Sequence, residues 1–584
     1  MDTRLLAIAL IYCLSMSMFG CQSRFAPDAP APLADSPQGT NEAVDTPHWA
    51  VGSTIDEHPA DFHRFLVRYQ HESSLEVREQ AKRSLDEWSP RARVVPSEWI
   101  EALDGGDVPD GLELALSLEF SPDEDWRTVQ SVLRTLSRTN HNIKFLSLPY
   151  GTSLNNVLVS YLPPGLRSLE LGGGWKPNFE LLTQVSFEKL TDLNVRGSRI
   201  DDEMLAWLGE NGKTVFPQLE GLNLSGNRFS YSALAGVMLQ TNFPSLRRIE
   251  LGPGHLLTEE VPGVVAVLES PALAELEDIT INGSLSSETF ELLLPALSKL
   301  PIRRLDLRDN YLSTVAVEAL ASSGLSPTEL DLSRNELDDQ AVRVLLNAEF
   351  AHGLRYLDLG LNRLTDDAIT ELTRASALQN LEFLGLRGVE ISPKSFGRLV
   401  SSDLFRRLKR VDLRNLCLSP AHIEEMTTLS RPTSLVELNF SSNRIRDDGA
   451  EEFAKLISGS FPELEVLSLA NNELRDRGAT ALLVDVPPSW RVLDLSRNRI
   501  RLEIDQRLMS RPALETLALL DLGANEHTGS SIEALSEIAA RTGLTLRVTT
   551  IEQIRAQTSD TLADRVQYDR DCVYPRRTPV PRSE

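Results

Sequence analysis

The chain has 584 residues, of which 41% are hydrophobic, 24% charged and 6% aromatic, and its formal net charge at pH 7 is −25. This length exceeds what one ordinary globular core accommodates, so we expect several domains or one array of repeats. The acidic balance argues against non-specific binding to nucleic acids, which requires a basic surface.

The first 20 residues are predicted to be a signal peptide. The segment MDTRLLAIALIYCLSMSMFGC has a short polar start, then an apolar run too short to favour a membrane-spanning helix, and then Gly20-Cys21. This ending resembles a bacterial lipoprotein signal, although Met18 and Phe19 stand where that pattern usually has Leu and a small residue. The resemblance implies that Cys21 becomes the lipidated first residue of an envelope protein exposed outside the cytoplasm. Secretion without a lipid is the alternative.

Two further segments precede the regular part of the chain. Residues 21–54 are rich in Pro, Ala, Ser and Asp and nearly empty of core residues, so they are predicted to form a flexible tether. Residues 55–110 carry apolar residues at helical spacing, among them Phe62, Phe65 and Tyr69. That spacing predicts a small helical N-terminal cap.

Residues 111–548 repeat one nine-residue pattern, L-x-x-L-x-L-x-x-N. Fifteen copies, some with another residue in place of Asn, start 23 to 30 residues apart, and weaker copies at 113–121 and near 541–548 extend the series. The fifteen copies span 143–151, 166–174, 190–198, 219–227, 246–254, 276–284, 302–310, 327–335, 354–362, 381–389, 408–416, 435–443, 464–472, 490–498 and 517–525. Each copy combines a strand pattern of period two with a following helical pattern.

The pattern is the signature of leucine-rich repeats. The segments between copies, such as NELDDQAVRVLL and NRLTDDAITEL, resemble those of the ribonuclease-inhibitor-like subfamily. The resemblance implies an α/β fold, a leucine-rich-repeat solenoid or horseshoe of about 15–17 repeats. Its parallel sheet would line the concave side and its helices the convex side. Function does not follow, because this family includes inhibitors, scaffolds, GTPase activators and bacterial effectors.

The pattern has a direct physical basis. The Leu side chains of each short strand are expected to point into a core that a helix closes from the other side, and stacked units make this core continuous. At the ninth place of the pattern, the Asn side chain is expected to satisfy backbone groups where the chain leaves the strand. Residues 549–584 follow the array and are predicted to form a closing helix and a disordered Arg- and Pro-rich tail.

The sequence predicts no catalytic site, cofactor or metal site, and hence no enzyme. It contains no phosphate-binding glycine motif, no G-x-S-x-G and no H-E-x-x-H, and its nine His residues are scattered. Once Cys13 leaves with the signal peptide and Cys21 is lipidated, Cys417 and Cys572 remain. Two distant cysteines do not define a disulfide framework, and a reduced, partly buried structural thiol is the favoured interpretation of Cys417.

The third, fifth and seventh places of each copy are expected to face the concave side, because strand side chains alternate. The fifth place carries consecutive Asp residues, which a solvated polar face explains as well as binding does. The third place adds the aromatic pair Tyr356 and Phe383, expected to be exposed, and aromatic and Arg residues are typical of binding hot spots. The alternative is that these rings pack on each other or on Arg side chains without a partner. The predicted partner-binding residues are Arg304, Asp306, Asp331, Tyr356, Asp358, Phe383, Arg387, Arg410, Asp412 and Arg414.

The sequence therefore favours a non-enzymatic, envelope-anchored protein that binds another protein through its concave face, with a basic protein among the candidate partners. Two alternatives stay open: a regulator or effector of an enzyme, resembling the GTPase-activating members of the family, and a structural spacer of the envelope. A glycan ligand also stays open, and the sequence does not indicate an oligomeric state.

Overall fold

The computed structural model describes most of residues 187–501, with gaps at 240–242, 244, 253–257, 284, 430 and 485. It also describes shorter segments between 117 and 185 and between 517 and 547. All of them belong to the second of the two units into which the chain divides, Glu57–Glu584. The predicted signal peptide (1–20), the lipidation site Cys21, the tether (21–54), the N-terminal cap (55–110) and the C-terminal segment (549–584) lie outside the described residues.

The described residues form 17 short strands, one in each repeat. They are β1 Ser117–Glu119, β2 Phe145–Ser147, β3 Ser168–Glu170, β4 Asp192–Asn194, β5 Gly221–Asn223, β6 Arg248–Leu251, β7 Asp278–Ile281, β8 Arg304–Asp306, β9 Glu329–Asp331, β10 Tyr356–Asp358, β11 Phe383–Gly385, β12 Arg410–Asp412, β13 Glu437–Asn439, β14 Val466–Ser468, β15 Val492–Asp494, β16 Leu519–Asp521 and β17 Thr545–Arg547. Each strand pairs in parallel with the next one along the chain, so that a single open sheet results.

Helices connect most of these strands. Within the described residues they are α1 Asp202–Val215, α2 Tyr231–Leu239, α3 Val261–Leu268, α4 Ser287–Leu297, α5 Thr314–Ser322, α6 Asp339–Asn347, α7 Asp366–Arg374, α8 Pro393–Ser401, α9 Asp403–Arg407, α10 Pro420–Glu425, α11 Arg446–Ser460 and α12 Asp476–Val484. Short 3₁₀ turns complete several units, for example Glu349–Gly353. None of the described helices is long and apolar enough to cross a membrane.

One continuous core runs between the sheet and the helices. It contains the fourth- and sixth-place residues of the strands, such as Leu357 and Leu359, together with helix residues such as Ile369 and Leu372. The predicted α/β solenoid with a parallel sheet on one side is therefore confirmed. Because neighbouring helices pack about 8–10 Å apart and neighbouring strands about 4.8 Å apart, we expect the array to bend with its sheet on the inner side.

All fifteen predicted copies place their third to fifth residues in a strand. The copy predicted at 113–121 is wrong by two residues, because the structure pairs Ser117 with Phe145 at the third place. The segment ELALSLEFS has Leu at 114, 116 and 118. A two-residue shift therefore preserves the alternation, and the pattern alone does not define the register.

The ninth-place Asn has the role predicted for it, as Asn498 illustrates. Its side-chain Nδ2 donates to the carbonyl oxygens of Leu469 and Leu495, both at 2.9 Å. Its Oδ1 accepts from the backbone N–H groups of Asn472 at 2.7 Å and Leu474 at 3.0 Å. Each such amide therefore links two consecutive repeats through backbone groups that are otherwise buried without partners.

The Asp pair that precedes several helices also has a structural explanation. Asp338 caps α6, since its Oδ1 accepts from the Ala341 N–H at 3.0 Å. The neighbouring Asp339 accepts from both the N–H (2.8 Å) and the Oγ1 (2.7 Å) of Thr365 in the next repeat. One carboxylate thus stabilises its own helix, and the second one holds the next turn in place.

Candidate interaction surface on the sheet

The side of the sheet opposite the helices, here called the sheet face, is formed by the third-, fifth- and seventh-place residues. Strand pairing aligns Arg304, Glu329, Tyr356, Phe383 and Arg410 in one column at the third place. The same pairing aligns Asp306, Asp331, Asp358, Gly385 and Asp412 in a second column at the fifth place. The predicted partner-binding residues therefore occupy five consecutive strands, β8 to β12, a width of about 20 Å.

The two aromatic residues in the third column stack on each other. The ring centroids of Tyr356 and Phe383 are 4.3 Å apart with an interplanar angle of 5°. The guanidinium carbon of Arg410 lies 5.8 Å from the centroid of the Phe383 ring, within range of a cation–π interaction. Tyr356 is only 4% exposed, so the prediction that both rings are exposed is wrong for Tyr356. The alternative packing of the rings on each other and on an Arg side chain is observed.

The strand β8 carries a dense group of charges. Asp306 is fully buried and pairs with Arg308 across 2.7 Å from Oδ2 to Nη2. Arg304 lies 3.8 Å from both Asp278 and Asp306. Burial alone would lower the pKa of Arg308, but the carboxylates of Asp306 and Asp331 raise it overall. The expectation that Arg residues make the Asp column tolerable is confirmed for this strand.

At the other end of the surface, Asp412 is neutralised by Arg414 within the same strand and turn. The Nε of Arg414 donates to both carboxylate oxygens of Asp412 at 2.9 Å, and Nη2 lies 2.5 Å from Oδ2. Arg414 and Asp412 therefore form a bidentate, charge-assisted ion pair. Arg387, at the seventh place of the repeat that contains β11, belongs to the same face and is half-buried.

The centre of the surface has carboxylates but no basic side chain of its own. The sheet-facing places of β9 and β10 and their turns hold Glu329, Asp331, Ser333, Tyr356, Asp358 and Gly360. Asp331 accepts from the N–H (2.9 Å) and Oγ (2.6 Å) of Ser333. Asp358 accepts from the N–H of Gly360 at 2.8 Å.

Both central carboxylates are destabilised in their charged form. Burial, followed by the neighbouring charge of Asp306, raises the pKa of Asp331 to about 6. Burial, then the charges of Asp331 and Asp412, raise the pKa of Asp358 well above its ordinary value. A cationic group placed beside them would reverse this effect, because opposite charge favours the ionised form.

Gly385 explains how Asp358 comes to lie between two other carboxylates. A Cβ atom added at Gly385 would lie 2.4 Å from the Cγ and Oδ1 atoms of Asp358. The carboxylate of Asp358 therefore occupies the space that a side chain at 385 would fill, on the side toward Asp412. A larger residue at this position would displace it.

A second part of the sheet face was missed by the sequence interpretation, which did not follow the third place beyond β12. There the column continues through Val466, Val492 and Leu519, which are aligned by strand pairing. All three are buried, yet none belongs to the core between the sheet and the helices. Reading the third place through to the last copy would have revealed this apolar strip.

Cys417, five residues after β12, is disulfide-bonded. The prediction of a reduced thiol is therefore wrong. The sequence could not indicate the bond, because cysteine pairing depends on the approach of distant segments. The other three cysteines of the chain, and hence the partner, lie outside the described residues. Across the described ranges, no group of three or more His, Cys, Asp or Glu side chains is arranged to hold a metal ion.

The fold and the sheet face together define an α/β leucine-rich-repeat solenoid. A family model described as Leucine Rich repeat matches residues 431–454 and 463–483. The first match contains β13 and the start of α11, and the second contains β14 and most of α12. No curated protein matches the chain.

Two solved structures are similar to this chain. One is the complex of Rad7 and Elc1 in yeast, at 16% identity over 76% of this chain and 98% of that one, with a TM-score of 0.38. The other is an internalin (inlF) from Listeria monocytogenes str. 4b F2365, at 15% identity over 68% of this chain and 94% of that one, with a TM-score of 0.28.

Proposed function

We propose that this protein is a non-enzymatic, protein-binding leucine-rich-repeat scaffold of the ribonuclease-inhibitor-like type. Its partner binds on the sheet face across β8 to β12 and presents a basic segment. The protein is held in the cell envelope by a lipid on Cys21. The alternation of strands and helices in nearly every described repeat supports the subfamily, and the sequence of residues 1–21 supports the anchor.

One observation carries the choice of a basic partner. Asp331 and Asp358 lie side by side on strands that carry no basic residue on this face, and burial makes their charged forms unfavourable even though Arg308 and Arg414 lie within electrostatic range. A Lys or Arg side chain of a partner would supply a further positive charge, and the half-buried Phe383 ring, stacked on the buried Tyr356 ring, offers a rigid contact surface beside it. Because Arg308 and Arg414, which follow β8 and β12, already pair with Asp306 and Asp412, we expect the central strands to dominate the interaction.

The test measures partner capture from the cell envelope with wild-type protein and with Tyr356→Ala, Phe383→Ala and Asp358→Asn variants. The matched control is Arg343→Ala on the helix side of the array, where the side chain is partly exposed. We expect a partner that the wild type and the control retain and that the sheet-face variants lose. Moderate salt should weaken its capture, because salt screens the long-range attraction between an acidic protein of net charge −25 and a basic partner. Equal capture by all variants would contradict the proposed surface.

The pH dependence gives an independent check. A pKa of about 6 for Asp331 means that this carboxylate is ionised at pH 7.5 and mostly neutral at pH 5. Binding of a basic partner should therefore weaken between pH 7.5 and pH 5. Capture that strengthens over this range would exclude charge pairing at these residues. Retention of the protein in the membrane fraction, lost on Cys21→Ala, tests the anchor separately.

A further inference from the structure

We propose that His422 makes the start of helix α10 sensitive to pH. The neutral imidazole holds this helix start against the preceding repeat, and protonation releases it, which loosens the array between the repeats of β11 and β12 on the helix side. This pH-sensitive helix cap does not depend on the partner proposed above, because it lies away from the sheet face and is tested without a partner.

Both ring nitrogens of His422 have partners in the backbone at a buried position. The residue is 7% exposed, and its Nδ1 lies 3.1 Å from the backbone nitrogen and 3.0 Å from the Oγ of Ser419, which precedes α10. Its Nε2 lies 3.2 Å from the carbonyl oxygen of Ile391 in the preceding repeat. The ring also meets the ring of Phe396 in α8 edge to face, with the centroids 5.9 Å apart. The imidazole therefore connects the first turn of α10 with two elements of the preceding repeat.

These partners are compatible with only one protonation state of the imidazole. A carbonyl oxygen can only accept, so Nε2 carries the proton and donates to Ile391. A backbone N–H can only donate, so Nδ1 is unprotonated and accepts from Ser419. A proton added at Nδ1 would place two N–H groups against each other. The Ser419 hydroxyl can turn to accept from the imidazolium, but the half-buried Ser419 N–H would lose its partner.

The lost hydrogen bond lies where the backbone has little other support. In the turn before α10, Asn415 and Cys417 have φ values of 58° and 56°, in the left-handed region that residues other than Gly rarely adopt. The helix itself, Pro420–Glu425, has six residues, and a helix this short gains little stability from its own hydrogen bonds. The Ser419 N–H lies between this turn and the helix, so its hydrogen bond to His422 secures the junction of the two.

The surroundings of the ring disfavour the protonated form. Burial lowers the pKa of His422 below its ordinary value of 6.5, although the Ile391 carbonyl and the carboxylates of Asp366 and Glu425 act in the opposite direction. The folded state therefore holds this proton less tightly than the unfolded state. The stabilisation by the cap is thus fully present above about pH 6.5 and is lost as the pH falls below that value.

The elements packed against α10 contribute no further charge pair to the ring. On α8, Lys394 and Arg398 are exposed, and the 3₁₀ turn Met426–Thr428 carries no titratable side chain. The charged residues of α11 that lie nearest its start pair within that helix or with the following repeat: Arg446, Asp447, Asp448, Glu451, Glu452 and Lys455. Among the described residues, Asp366 and Glu425 are thus the charged groups that act most on His422.

The first test measures the pKa of His422 in the unaltered full-length protein by deuterium exchange at the imidazole C2 position, read by peptide mass spectrometry. We expect a pKa below 6.5 and slower exchange than at His352, which is exposed. A pKa of 6.5 or above, or exchange as fast as at His352, would overturn the proposal. This measurement does not depend on the folding of a variant.

The second test follows amide hydrogen exchange of residues 419–425 at pH 7.5 and pH 5, corrected for the intrinsic exchange rates, in wild type, His422→Gln and the control His352→Gln. The Gln amide can accept from Ser419 and donate to Ile391, but it does not titrate. We expect protection to fall at pH 5 in wild type and control by up to about 30-fold, the limit set by 1.5 pH units below 6.5, and to stay unchanged in His422→Gln. An equal loss in all three proteins, or no loss in wild type, would overturn the proposal.

Discussion

Replacing Asp331 by Asn should stabilise the central repeats, which is unusual for a change at a buried polar residue. The Asn side chain is of nearly the same size, and its carbonyl oxygen can accept the same two hydrogen bonds from Ser333. What disappears is the buried charge. A pKa moved from 3.8 to about 6 corresponds to about 3 kcal/mol in favour of the neutral form.

The sign and the pH window follow from proton binding. The raised pKa of Asp331 means that the folded state holds its proton more tightly than the unfolded state, so wild-type stability falls as pH rises from about 4 through 6. The gain from Asp331→Asn should therefore be about 3 kcal/mol at pH 7.5, clearly smaller at pH 5 and small at pH 4.

Hydrogen exchange of the β9 and β10 amides is the suitable assay, because a long repeat array does not unfold in one step. At pH 7.5 the expected gain corresponds to a protection factor about 150-fold higher. The contrasting variant is Asp412→Asn, which should lose about 2 kcal/mol because Arg414 loses its charged partner. Lower protection in Asp331→Asn, or an equal gain at pH 4 and pH 7.5, would refute the reasoning.

Three further outcomes are expected. Asn498→Ala removes four hydrogen bonds to buried backbone groups and should cost about 3–5 kcal/mol of local stability, measured by hydrogen exchange. The control Asn347→Ala, at an exposed helix end, should cost little. Similar effects of the two changes would contradict the role of the ninth-place Asn in linking repeats. Phe383→Ala uncovers one face of the Tyr356 ring, so the pKa of that phenol, raised well above 10 by burial, should fall in a spectrophotometric titration. An unchanged pKa would show that other groups bury the ring. Cys417 should react with a maleimide only after reduction, and labelling without a reductant would disprove the disulfide.

The strands could be predicted from the sequence because each of them is defined by contacts within one repeat and with its immediate neighbours. The Leu residues at places four and six, such as Leu357 and Leu359, find the same environment in every unit. The Asn at place nine meets the same unsatisfied backbone groups each time. Local spacing therefore determined which residues form strands, which side they face and which residues become neighbours on the sheet face.

Burial and charge on the sheet face were decided only by the tertiary structure. Asp331 and Asp412 occupy the same place of their repeats but differ in their electrostatic surroundings. Asp412 pairs with Arg414, two positions further along the chain, whereas the charge of Asp306 helps to raise the pKa of the buried Asp331. Tyr356 is covered although the strand pattern predicts exposure, and Gly385 leaves a space that Asp358 fills. These outcomes depend on side chains about 27 residues away in neighbouring strands.

Features that depend on contacts between distant segments could not be predicted from the repeat pattern. The disulfide at Cys417 joins segments that lie far apart in the chain, and no periodicity links them. The sequence by itself thus determined the array, its alternation and the composition of its face, because these follow from the period of the backbone. Solvent exclusion is a property of everything that surrounds a side chain, so only the folded molecule decided which parts of that face are buried and which carboxylates form a direct ion pair with an arginine.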